Sequence, residues 1–252
     1  MPQVITVGQG SQARRIAVLA RAGLGPPVVW FGGFRSDMRA TKAGFLDAWA
    51  ERTGRAFVRF DYSGHGDSEG AFAEGTVSRW VEEAVAVLTG HVVERPILVG
   101  SSLGGWVSLL AIRALAASGS RLAPVGLVLV APAVDFTESL MWDRFPAEIR
   151  RAVIETGAYH HASAYEAPYP ITRGLIEDGR RHLLFGSPIR TGCPVHILQG
   201  MEDPDVPWQH ALRLVEHLPG DSVSLTLIKD GDHRLSRPED LDKLVAAVET
   251  II

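Results

Sequence analysis

Leu98–Trp106, LVGSSLGGW, sets two serines between glycines at the junction of two periodicities. Upstream, Pro96 is followed by Ile97-Leu98-Val99, a short apolar run that reads as a buried strand. Downstream, Trp106, Leu109, Leu110, Ile112 and Leu115 recur at helical spacing among helix-favouring alanines. The stretch is therefore predicted to run strand, sharp turn, helix. Gly100-Ser101-Ser102-Leu103-Gly104 fits G-x-S-x-G with Ser102 at its centre. Such a turn forces its central residue into a strained backbone, and the glycines two before and two after let strand and helix pass closely. The Ser102 hydroxyl would stand above the sheet at a helix N-terminus, where the field favours negative charge. Ser101 takes the place of an ordinary intervening residue with a structural hydroxyl. The five-residue pattern by itself also suits a tight packing turn; the strand before it and the helix after it favour a nucleophile.

Outward from this turn, short apolar runs alternate with helical patterns. Val4–Val7 and Ile16–Leu19 form a predicted antiparallel pair around Gly8-Gln9-Gly10. Further strands are predicted at Val28–Phe31, Phe57–Phe60, Ile97–Val99, Val125–Val130, Val195–Leu198 and Val223–Ile228. Helices are predicted near 41–52, 77–89, 103–117, 207–217 and 238–250; in the second, Val77, Trp80, Val81, Ala84, Val85 and Leu88 make one apolar stripe. This alternation implies a mostly parallel sheet of eight strands covered by helices on both faces. From about 133 to 192 the rhythm stops: no strand is predicted, and Pro146, Pro168, Pro170 and Pro188 chop the segment into short helical pieces. Its aromatics (Phe136, Trp142, Phe145, Tyr159, Tyr165, Tyr169 and Phe185) argue against a disordered linker and for a lid. The expected organisation is a core of residues 1–132 and 193–252 with a helical cap at 133–192.

Composition narrows the function classes. A chain of 252 residues, 46% of them hydrophobic, builds one large core with room for an insertion. The net charge of −4, with no basic stripe, gives no nucleic-acid footprint. The single cysteine, Cys193, excludes an intramolecular disulfide and suits a reducing compartment. The longest apolar run, Val125–Val134, holds Pro132 and falls well short of the ~18 residues a membrane span needs. MPQVITVGQG reads as neither a signal nor a transit peptide, so a cytoplasmic location is expected.

A serine nucleophile needs a base, and a histidine base needs a third group to fix its tautomer. In doubly wound hydrolases the chain order is serine, acid, histidine, with the last two after the final strands. Val195–Leu198 is followed by Glu202, Asp203 and Asp205, and Val223–Ile228 by Asp232-His233. His233 is the candidate base. Asp203 is favoured as the acid over Glu202 and Asp205, since Asp205 lies just before Pro207 and also suits the start of the next helix. Asp232 adjoins His233, so its side chain diverges from that ring. Two N–H donors for an oxyanion are expected from Leu103, next after the nucleophile, and from Phe34 in the Gly32-Gly33-Phe34 loop.

Four stretches in this order, RFDYSGHGDSEG (59–70), LVGSSLGGW (98–106), SPIRTGCPVHILQGMEDPDVPW (187–208) and GDHRLSR (231–237), resemble the α/β-hydrolase superfamily. Within it they are similar to the type-10 α/β-hydrolase-domain group of acyl-protein thioesterases and acyl-glucuronide esterases, including its bacterial relatives. The resemblance implies an α/β-hydrolase fold, a helical cap, hydrolysis of carboxylic esters or thioesters, and no cofactor or metal. It maps nucleophile, acid and base to Ser102, Asp203 and His233, and makes His65 and Asp67 part of a structural loop. Gly32-Gly33 and Gln199-Gly200 stand where His-Gly is frequent in the family, departures expected to alter the rim of the site. The expected substrate is a small acyl ester or thioester, or an acylated protein. Trp142, Phe145 and Tyr159 are the candidate acyl wall, and Arg144, Arg150, Arg173 and Arg180 are either an anchor for an anionic leaving group or solvated helix faces. A peptidase or carbon–carbon bond hydrolase on the same trio, and a ligand receptor without turnover, are the alternatives.

Overall fold

Alternation along the central strands decides the architecture of the computed structural model, which describes residues 2–161 and 168–252. In β3 (Leu24–Phe31), Val29 and Phe31 pack into one apolar cluster while Val28 and Trp30 pack into another. The same division separates Leu98 from Ile97 and Val99 in β5 (Ile97–Ser101). It also separates Leu127 and Leu129 from Val128 and Val130 in β6 (Gly126–Val130). A strand that buries both alternating faces must be covered on both sides. Helices α2 (Val77–His91), α3 (Leu103–Ala117) and α6 (Trp208–Glu216) cover one face. Helices α1 (Thr41–Thr53) and α7 (Pro238–Glu249) cover the other.

With β1 (Gln3–Val7), β2 (Arg14–Arg21), β4 (Arg55–Phe60), β9 (Val195–Gly200) and β10 (Val223–Ile228), the sheet has eight strands in the order β1-β2-β4-β3-β5-β6-β9-β10. β2 runs antiparallel to both β1 and β4, and every other pairing is parallel. The eight strands and five helices fall where the periodicity predicts them. β5 lies in the middle of the sheet, so its C-terminal end projects into the crevice where open α/β sheets bind ligands.

The described part of the crossover from β6 to β9 holds α4 (Ala147–Thr156) and α5 (Arg173–Gly179) among short helical turns. It differs from expectation in one respect. β7 (Ala158–His161) and β8 (Tyr169–Thr172) form an antiparallel ribbon, with Tyr159 opposite Ile171 and His160 opposite Pro170. Four residues per strand are too few to show a period-2 signal. Pro170 reads as a breaker, yet both strands of a two-stranded ribbon have a free edge, where a missing N–H is tolerated. Tyr165 lies outside the described residues.

Buried polar groups close the crossover on itself and tie it to the core. Asp135 accepts the N–H groups of Leu184 at 2.7 Å and Phe185 at 3.0 Å. Asp178 accepts the Ser78 N–H and hydroxyl of α2, each at 2.8 Å. His210 of α6 donates from Nε2 to the Val134 carbonyl at 2.8 Å. Between these anchors Met141, Val153, Ile171 and Ile176 make a separate small core, against which Phe34 of the β3–α1 loop packs. The crossover therefore lies over the C-terminal end of β3 and β5.

Candidate active site

Ser102 sits between β5 and α3 at φ 53°, ψ −119°, a region that costs a non-glycine residue about 1–3 kcal/mol. Surrounding bonds hold it there. Its N–H donates to the Val130 carbonyl at 2.9 Å, and its carbonyl accepts from Gly105 and Ala133, each at 3.0 Å. The glycine spacing has a direct steric cause. A Cβ on Gly104 would collide with the carbonyls of Phe31 and Gly32, and one on Gly100 with the carbonyl of Gly104. Ser101 ends β5 opposite Val130 and is buried, whereas Ser102 is partly exposed at the head of α3. Of the two serines, Ser102 is the one the turn presents.

His233 follows β10, and its Nε2 lies 3.1 Å from the Ser102 hydroxyl oxygen. Its Nδ1 lies 2.7 Å from Oδ2 of Asp203, which is buried in the loop after β9. Oδ1 of Asp203 accepts the N–H groups of Asp205 at 2.9 Å and Val206 at 2.8 Å, so the loop curls around this carboxylate. Glu202 and Asp205 are exposed. The Asp205 carboxylate comes within 4.8 Å of the other two groups, the one such trio of potential metal ligands among the described residues. Both nitrogens of His233 are engaged within it by Asp203 and Ser102. Gln199, part of a departure expected to alter the rim of the site, is fully buried behind Asp203, with Nε2 3.2 Å from Oδ2.

The loop after β3 crosses in front of the turn. A Cβ on Gly33 would lie 3.5 Å from the Ser102 Cβ, ordinary van der Waals contact, so the loop passes directly against the turn. Among the described residues, neither the Phe34 nor the Leu103 N–H has a hydrogen-bond partner. Leu103 opens a helix, whose first N–H groups have no intrahelical acceptor. Arg35 follows at φ 58° and donates its N–H to Nε2 of His65 at 3.1 Å. Nδ1 of His65 faces the Ser63 carbonyl at 3.2 Å, so that nitrogen carries the proton. Burial lowers the pKa of His65, in keeping with a neutral acceptor. Asp61 accepts the N–H groups of Met38 at 2.6 Å and Asp67 at 2.8 Å, and burial pushes its pKa up to about 6. The stretch 61–68 thus buttresses the β3–α1 loop.

Comparison with known proteins gives the family. Residues 17–247 match the pattern of the alpha/beta hydrolase family. The chain belongs to that family. It is 34% identical over 245 residues to "Palmitoyl-protein thioesterase ABHD10, mitochondrial" of Mus musculus, covering 96% of this chain and 80% of the relative. The human protein of the same name is 33% identical over 232 residues, covering 91% of this chain and 74% of its own. Among solved structures, a putative hydrolase from Agrobacterium vitis S4 superposes with a TM-score of 0.97 at 52% identity, covering 100% of this chain and 98% of that one. The mouse alpha/beta hydrolase domain-containing protein 10 superposes at 0.85 with 30% identity, covering 99% and 98%.

In this α/β hydrolase two cavities meet at Ser102, His233 and Phe34, and the first has more apolar side chains in its wall than the second. One, of about 290 Å³, lies under the crossover and is walled by Phe136, Leu140, Met141, Phe145 and Ile171. The other, of about 410 Å³, lies between the β3–α1 loop and the His233 loop, and includes Arg35, Asp37, Lys42 and Arg234. Burial pushes the Lys42 ammonium down to about 8. Of the three candidates for an acyl wall, Phe145 lines the cavity under the crossover, whereas Trp142 and Tyr159 do not. Trp142 borders an outer groove with Arg150 and Ile154, its ring 4.8 Å from the Arg180 guanidinium. Tyr159 packs inside the crossover, its ring 6.4 Å from that of Phe145. Aromatic content marked the right segment but not which face each ring takes. Arg144 reaches the cavity edge and donates to the Asp205 carbonyl at 3.0 Å. Arg150 is spent on the Trp142 and Asp143 carbonyls, Arg173 pairs with Glu177, and Arg180 pairs with Glu138. Leu140, Met141, Ile171 and Lys42 carried no sequence signal that separates them from ordinary core or surface residues.

Proposed function

We propose that this α/β hydrolase is a cofactor-independent serine hydrolase of carboxylic esters and thioesters. The observation that carries the reading is the relay Asp203–His233–Ser102, at 2.7 and 3.1 Å, ending on a serine held in a strained turn. Ser102 attacks the acyl carbonyl while His233 Nε2 takes its proton. Asp203 holds the ring so that Nδ1 keeps its hydrogen and stabilises the imidazolium that forms. The N–H groups of Phe34 and Leu103 receive the oxyanion. His233 then protonates the leaving alcohol or thiol, and a water activated by the same ring hydrolyses the acyl-enzyme.

Residues 133–192 act as the cap. The cavity beneath them, with Phe136, Leu140, Met141, Phe145 and Ile171 in its wall, suits the acyl chain, and the more polar cavity beside Lys42 suits the leaving group. The relatives named as palmitoyl-protein thioesterases support a thioester among the substrates. The lone, buried Cys193 suits a reducing compartment, and a cytoplasmic location remains our reading; "mitochondrial" belongs to the relatives' names.

A fluorophosphonate probe tests the assignment. It is expected to label Ser102, with labelling abolished in Ser102→Ala and retained in Ser101→Ala. Turnover of p-nitrophenyl and thiocholine esters, and none of peptide amides or β-diketones, is the companion result. An adduct mapped to Ser101, or no turnover of any ester, overturns the reading.

A further inference from the structure

We propose that Gln199 is a positioning residue whose side-chain amide orients Asp203 toward His233 and closes the loop that carries it. The inference rests on the serine-hydrolase reading above and assigns a residue which that reading does not need. Gln199 is near the end of β9 and fully buried. Its Nε2 faces three acceptors: Oδ2 of Asp203 at 3.2 Å, the Val206 carbonyl at 2.9 Å and the Gly200 carbonyl at 3.0 Å. Its Oε1 is buried without a hydrogen-bond partner among the described residues. Turning the amide over would not relieve that oxygen, because it would then face three acceptors. The surroundings therefore fix which end of the amide points at Asp203.

The contacts explain why a donor is needed there. Oδ1 of Asp203 is filled by two N–H groups of its own loop, leaving Oδ2 for the ring of His233 and the amide of Gln199. The bond to Val206 ties the strand end to the far side of the same loop. Gln199 thus sets Asp203 both directly and through its backbone. Neutrality matters as well: a carboxylate at this position would place two anions against each other, and an apolar side chain would supply no donor. The ionisable group in contact with it is Asp203, which neighbours His233 and Asp205, and Arg144 donates to the Asp205 carbonyl of the same loop.

The test uses Gln199→Glu and Gln199→Met in the full chain, with kcat and KM for a p-nitrophenyl ester measured from pH 6 to 9. A protonated carboxyl group in place of the amide can donate one bond, whereas an ionised one repels Asp203. Gln199→Glu is therefore expected to lose at least tenfold in kcat relative to the parent between the two ends of the range, reversibly and with KM within twofold. Gln199→Met is expected to lose tenfold or more at every pH, again in kcat. Parallel pH profiles for Gln199→Glu and the parent, or losses confined to KM, overturn the proposal. A crystal structure of Gln199→Met, or of Gln199→Glu at high pH if the former does not fold, gives an answer independent of turnover. The Asp203 carboxylate is expected to be rotated away from Nδ1 of His233, and an unmoved carboxylate refutes the role. A parent that turns over no ester overturns the serine-hydrolase reading alone, since the carboxylate position still decides this one.

Discussion

Replacing Asp203 by Asn exchanges one carboxylate oxygen for an NH₂ group, and the surrounding bonds decide which one. Oδ1 lies 2.9 and 2.8 Å from two backbone N–H groups, so the remaining oxygen must stay on that side. The new NH₂ then takes the place of Oδ2, facing Nδ1 of His233 where the distance is now 2.7 Å. Nδ1 must become the acceptor, the ring proton moves to Nε2, and Nε2 can no longer accept the proton of Ser102. The amide of Gln199 also loses its acceptor on that atom. The same exchange in a serine protease lowers turnover about 10⁴-fold, which corresponds to ~5.4 kcal/mol of transition-state stabilisation. Asp205→Asn is the control. Its side chain is exposed, and the N–H that Asp205 donates to Asp203 is unchanged. Its carboxylate lies near the pair, but Asp203 and Ser102 already take both nitrogens of His233, so only a small loss is expected. The measurement is kcat/KM for p-nitrophenyl butyrate, with thermal midpoints confirming that both variants are folded. Activity of Asp203→Asn within tenfold of the parent, or the larger loss at Asp205, would refute this assignment of the acid.

Three further outcomes follow from the packing around the site. Gly104→Ala drives a Cβ into the carbonyls of Phe31 and Gly32 and is expected to destabilise the fold by about 3 kcal/mol, read as a lower urea midpoint; an unchanged midpoint would show that strand and helix can separate there. Phe145→Ala, at the wall of the cavity under the crossover, is expected to lower kcat/KM for octanoyl relative to acetyl esters about tenfold, equivalent to two methylenes at ~0.8 kcal/mol each, while Trp142→Ala leaves the ratio unchanged. Equal effects of the two would place the acyl chain elsewhere. Lys42, with its pKa near 8, is charged below that pH and neutral above it, so the more polar cavity loses a positive charge as pH rises past 8. KM for an ester whose leaving group carries a carboxylate is expected to rise severalfold between pH 7 and 9.5, and to stay flat in Lys42→Arg; a flat parent would remove Lys42 from leaving-group recognition.

Much of the fold is written locally. The runs at 28–31, 97–99 and 125–130 alternate with helical stripes because each strand must satisfy both covered faces of the sheet, a demand met residue by residue. The turn at Ser102 is legible for a similar reason. Its two glycines answer contacts made within a few residues and with the neighbouring strand end, and no larger residue fits. Chain order then brings Ser102 and His233 to one sheet edge, since β3, β5, β6, β9 and β10 all run in the same direction.

The tertiary structure decided what depends on the path of a loop or the facing of a side chain. Glu202, Asp203 and Asp205 differ little as letters; the curl of one loop buries the second and exposes the others. Gln199 is part of a departure expected to alter the rim, yet strand alternation turns its amide inward behind Asp203. The ribbon β7–β8 escaped because two four-residue strands stabilise each other only when paired. Trp142 and Phe145 both border an outer groove, yet of the two only Phe145 also reaches the cavity, while Tyr159 packs inside the crossover. Lys42 meets the Arg234 carbonyl across 192 positions of chain. Sequence records the constraints that neighbours along the chain impose on one another; the site is completed by contacts between distant segments, whose relative placement only the packed core sets.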